Sequence, residues 1–429
     1  MLKRYLNRLF FIVLLALIVT QVVFFFSSRN IEIYSAMFIS ASAIYLLFVS
    51  LLFRIEISKS QLLLLLISFF LLKIIFVNTE PVGSDDYYRY IWDGKVQANG
   101  INPFLYAPND QTLIELHSEM LPEKVSYPNI KTIYFPVSQW LFTVSYWISG
   151  ENAIGLKIFY LLFELVILIS LYALLSKLLI DKRYMLIYTA LPLITFQFFI
   201  DAHIDLVGVA LMIASISLYF YDKKFLSYVL LGLSVSVKPT GLLLIPFYFQ
   251  NETLVKEKFK SFFVPIAIFA ITFLPYVLSA TPLDTLINYS INWTFNGMIY
   301  NSLSVFLSDN VIIRIICALL YLLFLGFIYF SKYDLIRKIF LSLFVLMIFS
   351  PVVHPWYLIW FAVLLPMVRS YSGIYFVSVI SLTSFSILRY QLTGVWEEYL
   401  WVLLAQYIPL VIIFYYEMKR KVFSNKINF

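Results

Sequence analysis

The sequence predicts an all-α polytopic membrane protein, a single membrane domain over residues 1–429 with about 12 to 14 transmembrane helices. The prediction follows from composition, since 62% of the 429 residues are hydrophobic and only 13% are charged. The mean hydropathy is +0.88. A water-soluble fold of this size cannot hide so many apolar side chains. The high hydrophobic fraction also excludes a disordered chain and a nucleic-acid binder. A disulfide-stabilised scaffold is excluded because the chain has one Cys.

A membrane-spanning helix needs about 20 mainly apolar residues, and the chain contains many such runs. Two shorter stretches, 226–236 and 241–249, flank Lys238-Pro239 and are expected to form one helical hairpin with this dipeptide at its tip. The run 134–149 is either a full span or a re-entrant segment. The longer runs lie near 9–26, 34–53, 61–77, 155–176, 184–200, 205–221, 262–279, 310–330, 339–352, 356–369, 372–388 and 400–416.

The distribution of charge predicts the orientation of the chain. The net charge is +7, and most of the 31 Lys and Arg residues fall on one side if 134–149 does not cross. Lys3 and Arg4 precede the first run, and a basic loop is expected at 250–261. Cytoplasmic loops carry an excess of Lys and Arg, so 134–149 is interpreted as re-entrant and both termini as cytoplasmic. The expected location is the bacterial inner (plasma) membrane, and the net charge reports orientation rather than a ligand.

One long loop, 78–133, is predicted on the outer side. Ser84 is a suitable N-cap, and Asp85 and Asp86 follow in the first turn, where the helix dipole favours carboxylates. An Asn-Gly pair after residue 98 supplies a stop signal. The spacing therefore predicts a short helix over 85–98 that lies at the membrane interface with its aromatic side chains.

Two interpretations of this short helix stay open. Arg89 lies four residues after Asp85 and four before Asp93, so an interfacial helix held by local ion pairs fits the pattern. The adjacent acids Asp85 and Asp86 also emerge directly from a span, where carboxylates are costly unless they are used. Near a low-dielectric wall their pKa can be tuned for base catalysis, which favours a functional interpretation.

Other unusual polar residues cluster in short outer segments. His203 and His354 lie in two of these segments and, with nearby acids, suggest a zinc site. They are far apart in the chain and show no short ligand spacing, so no metal ligands are assigned, although a divalent cation is compatible with the pattern. The segments are residues 201–205, 236–240, 292–297 and 354–357.

Together these segments resemble the GT-C superfamily of integral-membrane glycosyltransferases, which use polyprenyl-phosphate sugar donors. Within it, the chain is similar to bacterial mannosyltransferases related to glycosyltransferase family 87. The family order is kept over nearly the whole chain, although two predicted spans precede the span that leads into the acidic loop. The resemblance is carried by DDYYRYIWDG at 85–94, AHID at 202–205, VKP at 237–239, WTFNG at 293–297, YN at 300–301 and SPVVHPWY at 350–357.

The resemblance implies an inverting glycosyltransferase with a GT-C-like bundle. It would move a hexose, mannose in similar enzymes, from a polyprenyl-phosphate donor to a glycolipid or glycan acceptor at the outer face of the bilayer. Asp85 is the first candidate for the catalytic base, and Asp86 is the second. Capping of the helix N-terminus is the alternative role for Asp86.

The leaving phosphate must be held by cations or oriented dipoles. Lys238 at the hairpin tip is the best candidate, with a snorkelling Lys as the alternative. Arg89 is a second candidate cation, whose alternative is pairing with Asp85 and Asp93. The resemblance assigns Asp205 as a further acidic catalytic residue that orients hydroxyl groups or a metal, and the alternative is an N-cap.

The remaining candidates are expected to bind substrate. His354 can hydrogen-bond the phosphate or the sugar, and its alternative is a satisfied interface histidine beside Trp356 and Tyr357. His203 and Tyr357 are further substrate-binding candidates. Trp293 and Asn296 can stack on a sugar face and hydrogen-bond it. They fit an interfacial aromatic belt equally well.

One pair of charges is expected inside the membrane. Lys157 and Glu164 lie two turns apart in the run 155–176. Buried charges in a membrane pair with one another, so a structural pairing of these two residues is predicted.

Two other classes of protein share parts of this pattern. A transporter or lipid flippase is also polytopic, but internal repeats and polar residues near the midplane are expected there. The chain shows no repeat, and its unusual residues fall on one predicted side. A polysaccharide polymerase or ligase shares the lipid-phosphate chemistry, but a late, Arg-rich outer loop is typical of it, whereas the long loop here is early and acidic.

Overall fold

The computed structural model describes residues 2–420 together with 422 and 423. Within that part of the chain it consists of helices and contains no β-strand, so the protein is an all-α polytopic membrane protein, as predicted. Isolated bridges join Phe295 and Asn296 to Val352. The end of the predicted cytoplasmic C-terminus, residues 424–429, lies outside the described residues.

The helices follow one another through the whole described chain. The first part contains α1 Leu2–Phe26, α2 Ile31–Leu52, α3 Lys59–Ile74, α4 Asp86–Ala98, α5 Pro136–Ser149 and α6 Ile154–Lys177. The middle part contains α7 Met185–Thr189, α8 Pro192–Ile194, α9 Asp205–Phe220, α10 Lys224–Val235, α11 Ile245–Asn251, α12 Val255–Val277 and α13 Asp284–Asn292. The last part contains α14 Met298–Ser304, α15 Asn310–Phe330, α16 Leu335–Phe349, α17 Ile359–Ala362, α18 Leu365–Val368, α19 Tyr371–Val379, α20 Ser384–Thr393 and α21 Leu400–Lys419.

Fewer helices reach full membrane length than the 12 to 14 predicted. Within the described residues, seven are long and apolar enough to cross a membrane, or eight if a pair bent by 51° counts as one span. Several predicted runs instead form shorter helices, such as α9 and α16. The run 356–369 breaks into short helices, and Pro366 opens the last of them, because proline cannot donate the hydrogen bond that continues a helix.

The segment that contains α4 and α5 leaves the bundle and returns at the same end. Lys157 near the start of α6 donates to the carbonyls of Phe76 and Thr79 just after α3, at 3.2 and 2.6 Å. Helix α5 has 14 residues and is therefore about 21 Å long, less than the hydrocarbon thickness of about 30 Å. This geometry fits the non-crossing interpretation of 134–149. We refer to this end of the bundle as the loop end.

Helix α4 begins one residue later than expected and lies inside the protein. Tyr90 and Trp92 are each 1% exposed, so these aromatic rings do not face a bilayer as predicted. A Cβ atom on Gly94 would lie 2.3 Å from the carbonyl oxygen of Phe142, which shows how closely α4 packs on α5. The rest of the long loop covers α4 on its other side, where Trp92 contacts the ring of His117 at 5.8 Å.

The predicted pairing of Lys157 with Glu164 is wrong. Glu164 instead pairs with Lys73 of α3 and accepts a hydrogen bond from the Tyr188 hydroxyl at 2.9 Å. Lys157 is occupied by the carbonyl oxygens at the end of α3. Two residues seven apart on one helix are too distant to meet, whereas the neighbouring helices bring partners into direct contact.

The opposite end of the bundle is basic. Glu252 there accepts hydrogen bonds from Lys224 at 2.7 Å and from the hydroxyls of Tyr219 and Tyr228 at 2.7 and 2.9 Å. The predicted loop at 250–261 is shorter than expected, because α11 runs to Asn251 and α12 starts at Val255. Its lysines belong to the first turns of α12.

Candidate active site

A buried carboxylate fixes the chain just ahead of α4. Oδ1 of Asp201 accepts hydrogen bonds from the backbone N–H groups of Val82 and Gly83 at 3.1 and 2.7 Å. Its Oδ2 accepts from the hydroxyl of Tyr34 on α2. Asp201 is 1% exposed, so this network holds the chain firmly where it enters the site. The position of Asp85, two residues after Gly83, is therefore set by α2 and by the turn before α9.

Asp85 occupies the N-cap position of α4 but makes no side-chain cap there. Instead its Oδ2 accepts a hydrogen bond from the Ser126 hydroxyl in the long loop. Asp85 is exposed to solvent as a residue, although protein atoms also surround its carboxylate. Desolvation by this surrounding protein and repulsion by Asp86 raise the pKa of Asp85, and the Ser126 hydrogen bond opposes them. A raised pKa suits a general base.

Asp86 faces a fully buried histidine. Its Oδ2 lies 3.5 Å from Nδ1 of His203, which is 0% exposed, and neither ring nitrogen of His203 has a hydrogen-bond partner. Burial opposes ionisation of Asp86, but contact with His203 and the charge of Lys238 outweigh it and lower the pKa of Asp86. The pKa of Asp85 is thus raised while that of Asp86 is lowered. Such a difference is typical of sites in which only one of two carboxylates acts as the base.

The ring of Trp356 lies between the two histidines. His203 and His354 both stack on it, with centroids 3.6 and 4.3 Å away and interplanar angles of 15° and 7°. Two rings so close to one centroid must lie on opposite faces, so the histidines cannot share one metal ion. Burial lowers the pKa of His354 to about 3, which leaves it neutral at physiological pH and able to donate or accept a hydrogen bond.

Lys238 and Asp205 form an ion pair at the loop end. Lys238 Nζ lies 2.6 Å from Oδ1 of Asp205, and Trp360 Nε1 donates to the same oxygen at 2.8 Å. The ammonium also lies 3.7 Å from the ring centroid of Tyr357. Asp205 is 2% exposed, whereas the Lys238 side chain is 25% exposed. Asp205 thus orients Lys238, and the ammonium keeps donors for a second anion.

Arg89 lies outside this group. Its Nε donates to Asp93 at 2.9 Å, and its guanidinium donates to the carbonyl of Ile130 at 2.8 Å. Asp93 also accepts from Thr132 at 2.5 Å. The guanidinium therefore holds the long loop against α4, which agrees with the predicted alternative of pairing with Asp93.

Asn296 is equally committed to the fold. Its side-chain amide donates to Gln406 at 2.9 Å, its backbone N–H donates to Glu398 at 2.7 Å, and its carbonyl accepts from Tyr407 at 2.6 Å. It is 2% exposed, so the predicted sugar contact is not available to this amide. Trp293 remains accessible, and its ring stacks on that of Tyr289 at 5.1 Å.

The structure therefore brings together most of the candidates and separates two of them. Asp85, Asp86, His203, His354, Tyr357, Lys238, Asp205 and Trp293 lie at the loop end in one connected cluster. Sequence reasoning assigned no role to several supporting residues, because their contacts with the site form only when separate segments pack together. These residues are Tyr34, Ser126, Tyr289, Trp356 and Trp360.

A metal site built by the protein alone is not evident. Within the part of the chain that the structure describes, no group of three or more His, Cys, Asp or Glu side chains could hold a metal ion. Mg²⁺ often binds through one or two carboxylates together with substrate phosphates, and such a site needs no larger group. The divalent cation therefore stays a prediction, with Asp85 and Asp86 as the accessible carboxylates.

Adding a methyl group at Gly83 is expected to displace Asp85 and Asp86 without contacting either of them. The new Cβ of Gly83→Ala would lie 2.6 Å from Oδ2 of Asp201 and 2.6 Å from the ring of Tyr34. We expect unfolding to become easier by about 1–3 kcal/mol and kcat to fall about 10- to 100-fold. Thermal unfolding and sugar transfer measure the two effects, and Gly326→Ala, with open space around its Cβ, is the control. Unchanged activity of the folded Gly83→Ala protein would contradict the positioning role.

The fold is thus that of an integral membrane protein whose acid pair, paired lysine and two histidines lie together at one end. The chain matches the family model "Alpha-(1->6)-mannopyranosyltransferase, N-terminal domain" over residues 15–251. It matches the model "MptB C-terminal domain" over residues 298–418. The protein belongs to this alpha-(1->6)-mannopyranosyltransferase family and is a hexosyltransferase, which confirms the resemblance and excludes the transporter. Comparisons with curated proteins and with solved structures gave no significant match.

Proposed function

We propose that the protein is an inverting mannosyltransferase that takes mannose from a polyprenyl-phosphate donor. The acceptor is a glycolipid or glycan, and the new linkage is α-(1→6). The observation that carries the proposal is the meeting of an acid pair with a cation at the loop end. Asp86 contacts His203, the two histidines stack on Trp356, and His354 packs edge-on against Tyr357 at 5.3 Å, which lies under Lys238.

Asp85 acts as the general base of the transfer. The acceptor hydroxyl attacks the anomeric carbon of mannose while its proton passes to the Asp85 carboxylate. The bond between the anomeric carbon and the phosphate oxygen breaks, and the phosphate leaves with the bonding electron pair. Inversion at this carbon yields an α-linked product only from a β-linked donor, so the donor is a β-linked mannosyl phosphate.

Lys238 stabilises the charge that develops on the leaving phosphate. Its ammonium is oriented by Asp205 and by the Tyr357 ring, so little reorganisation is needed when the phosphate arrives. His354, which is neutral, can donate a hydrogen bond to the same phosphate. Asp86 stays ionised beside His203 and keeps the pKa of Asp85 high.

The polarity of the bundle supports a site on the outer side of the membrane. Basic residues gather at the end opposite the site, where Lys338 donates to Gln250 and to the Tyr329 carbonyl, at 2.6 and 2.8 Å. The positive-inside rule then assigns that end and both chain termini to the cytoplasm. The polyprenyl tail of the donor lies in the bilayer, and its phosphate reaches Lys238 at the membrane boundary. A bacterial inner membrane provides this arrangement.

A comparison of two mannose donors tests the proposal. Purified wild-type protein in lipid nanodiscs is expected to transfer radiolabelled mannose from polyprenyl-phosphate mannose to an α-mannoside acceptor and not from GDP-mannose. Treatment of the product with α-mannosidase is expected to release the radiolabelled mannose. A parallel assay with EDTA tests whether transfer needs a divalent cation. Transfer from GDP-mannose alone would refute the proposed donor. A product that resists α-mannosidase would refute inversion from a β-linked donor.

A further inference from the structure

An exposed aromatic side chain lies directly beside the proposed base. Ser126 donates its hydroxyl hydrogen bond to Asp85, and Tyr127 is the next residue in the loop. Tyr127 is 56% exposed. Burial, Tyr390 and then the charges of Asp85 and Asp86 raise the pKa of the Tyr127 hydroxyl, so this side chain lies near the two carboxylates.

The backbone of Tyr127 is held in an unusual conformation. Its φ angle is +53°, a value that non-glycine residues rarely adopt and that costs about 1–3 kcal/mol. The carbonyl of Tyr127 accepts a hydrogen bond from Ile130 N at 3.0 Å, which closes a tight turn around it. The turn therefore fixes the backbone of Tyr127 next to Ser126.

The ring of Tyr127 continues an aromatic row that leads to Lys238. It packs edge-to-face on Trp293 with centroids 4.7 Å apart, and Trp293 stacks on Tyr289. The hydroxyl of Tyr289 lies 3.2 Å from that of Tyr357, whose ring lies under Lys238. One end of this row thus lies at the base and the other at the cation for the phosphate.

Trp293 is fixed within this row from the other side. The Arg314 guanidinium donates to the carbonyls of Ser290 and Trp293 at 2.8 and 2.6 Å, and so holds the end of α13. The rings of Tyr127 and Trp293 meet at 75°, so together they form an apolar corner whose ring faces are flat and whose Tyr127 hydroxyl is polar. A pyranose ring has the same character, because one of its faces carries C–H groups and its rim carries hydroxyls.

We propose that Tyr127 and Trp293 form the binding subsite for the acceptor sugar, with Tyr127 stacking on its C–H face. The inference rests on the proposed function, because the acceptor is by definition the substrate whose hydroxyl meets the base. The phosphate binds at the Lys238 end of the row, so the ring beside Asp85 contacts the acceptor and not the donor. The acceptor is therefore a saccharide whose terminal pyranose binds at Tyr127. A lipid or a peptide that offers only a hydroxyl group is not expected to be an acceptor.

Two substitutions separate the ring from the backbone at this position. Asn tolerates a positive φ, so Tyr127→Asn removes the ring without adding strain, and Tyr127→Phe keeps the ring and removes the hydroxyl. With α-(1→6)-mannobiose as acceptor, Tyr127→Asn is expected to raise the acceptor KM about five- to tenfold. Its donor KM is expected to stay within about twofold of wild type, and Tyr127→Phe, which keeps the stacking ring, is expected to restore the acceptor KM.

Equilibrium binding of α-(1→6)-mannobiose without donor gives an independent readout of the subsite. Wild-type protein is expected to bind the disaccharide, and Tyr127→Asn to bind it about five- to tenfold more weakly. Tyr127→Gly, which also fits a positive φ, repeats the test if the Asn variant does not fold. An unchanged affinity and acceptor KM in the folded variant, or a change in donor KM alone, would overturn the subsite. A wild-type protein that binds the disaccharide but does not use polyprenyl-phosphate mannose would instead refute the proposed function.

Discussion

Replacing Asp85 with Asn is expected to lower kcat for mannosyl transfer about 10³-fold. The amide keeps the size of the carboxylate and can still accept the hydrogen bond from Ser126, so the fold should be retained. It cannot accept the proton of the attacking hydroxyl, and transfer therefore loses its base. Radiolabelled transfer by purified, folded protein measures the effect, and full activity of Asp85→Asn would refute the assignment.

The pH dependence of kcat provides the matched control for the base. A base must be ionised to accept a proton, so with Asp85 as the proposed base kcat is expected to fall as the pH drops through its pKa, which lies above that of an ordinary Asp. Asp86→Asn removes the neighbouring negative charge and should lower the pKa of Asp85. The acidic limb of the profile is then expected to move to lower pH, with a smaller loss of kcat than in Asp85→Asn. A limb that does not move would show that the two acids do not interact in this way.

Replacing Lys238 with Met is expected to lower kcat/KM for the lipid-linked donor about 10²- to 10³-fold. Met has a similar length but no charge, so the leaving phosphate loses its cation and Asp205 is left as a buried, unpaired carboxylate. Kinetics at varied donor concentration measure the change. Lys223→Met, which removes a lysine at the basic end, is the control and should leave transfer unchanged.

A double substitution tests whether Asp205 acts through Lys238. Asp205→Asn alone is expected to weaken donor use, because the lysine loses its orienting partner. In the Lys238→Met background the same change should have little further effect on transfer, and it should restore part of the stability lost by the unpaired carboxylate. Additive losses of activity would show instead that Asp205 acts on the substrate by itself.

The acid pair and the hairpin lysine could be predicted because each is visible as a polar interruption in the local sequence. Asp85 and Asp86 are adjacent polar residues after an apolar run, and Lys238 interrupts two apolar stretches beside a proline. The contacts that hold these residues in place show no such pattern in the local sequence. Trp360 and Asp205 are 155 residues apart, and Tyr34 and Asp201 are 167 apart. Spacing predicts neighbours within one helix, whereas these contacts depend on how separate helices pack.

For two candidate residues the sequence left a structural and a substrate-binding role open, and contacts between segments favour the structural one. Arg89 and Asn296 have the side chains that bind phosphates and sugars, and their segments match the family. In the fold, Arg89 is taken up by Asp93 and Asn296 by Gln406, so neither is free for substrate. Hydropathy has a similar limit, because it reports the composition of a run but not whether proline breaks the helix, as at Pro366.

The hydrogen bond between Tyr34 and Asp201 has a consequence for exchanging parts between relatives. Tyr34 belongs to α2, and through Asp201 it fixes the backbone of Val82 and Gly83 ahead of the acids. The helices that precede the acidic loop are therefore not a detachable leader. A chimera that takes them from a relative must carry a matching hydroxyl at position 34, or its base will be assembled out of register.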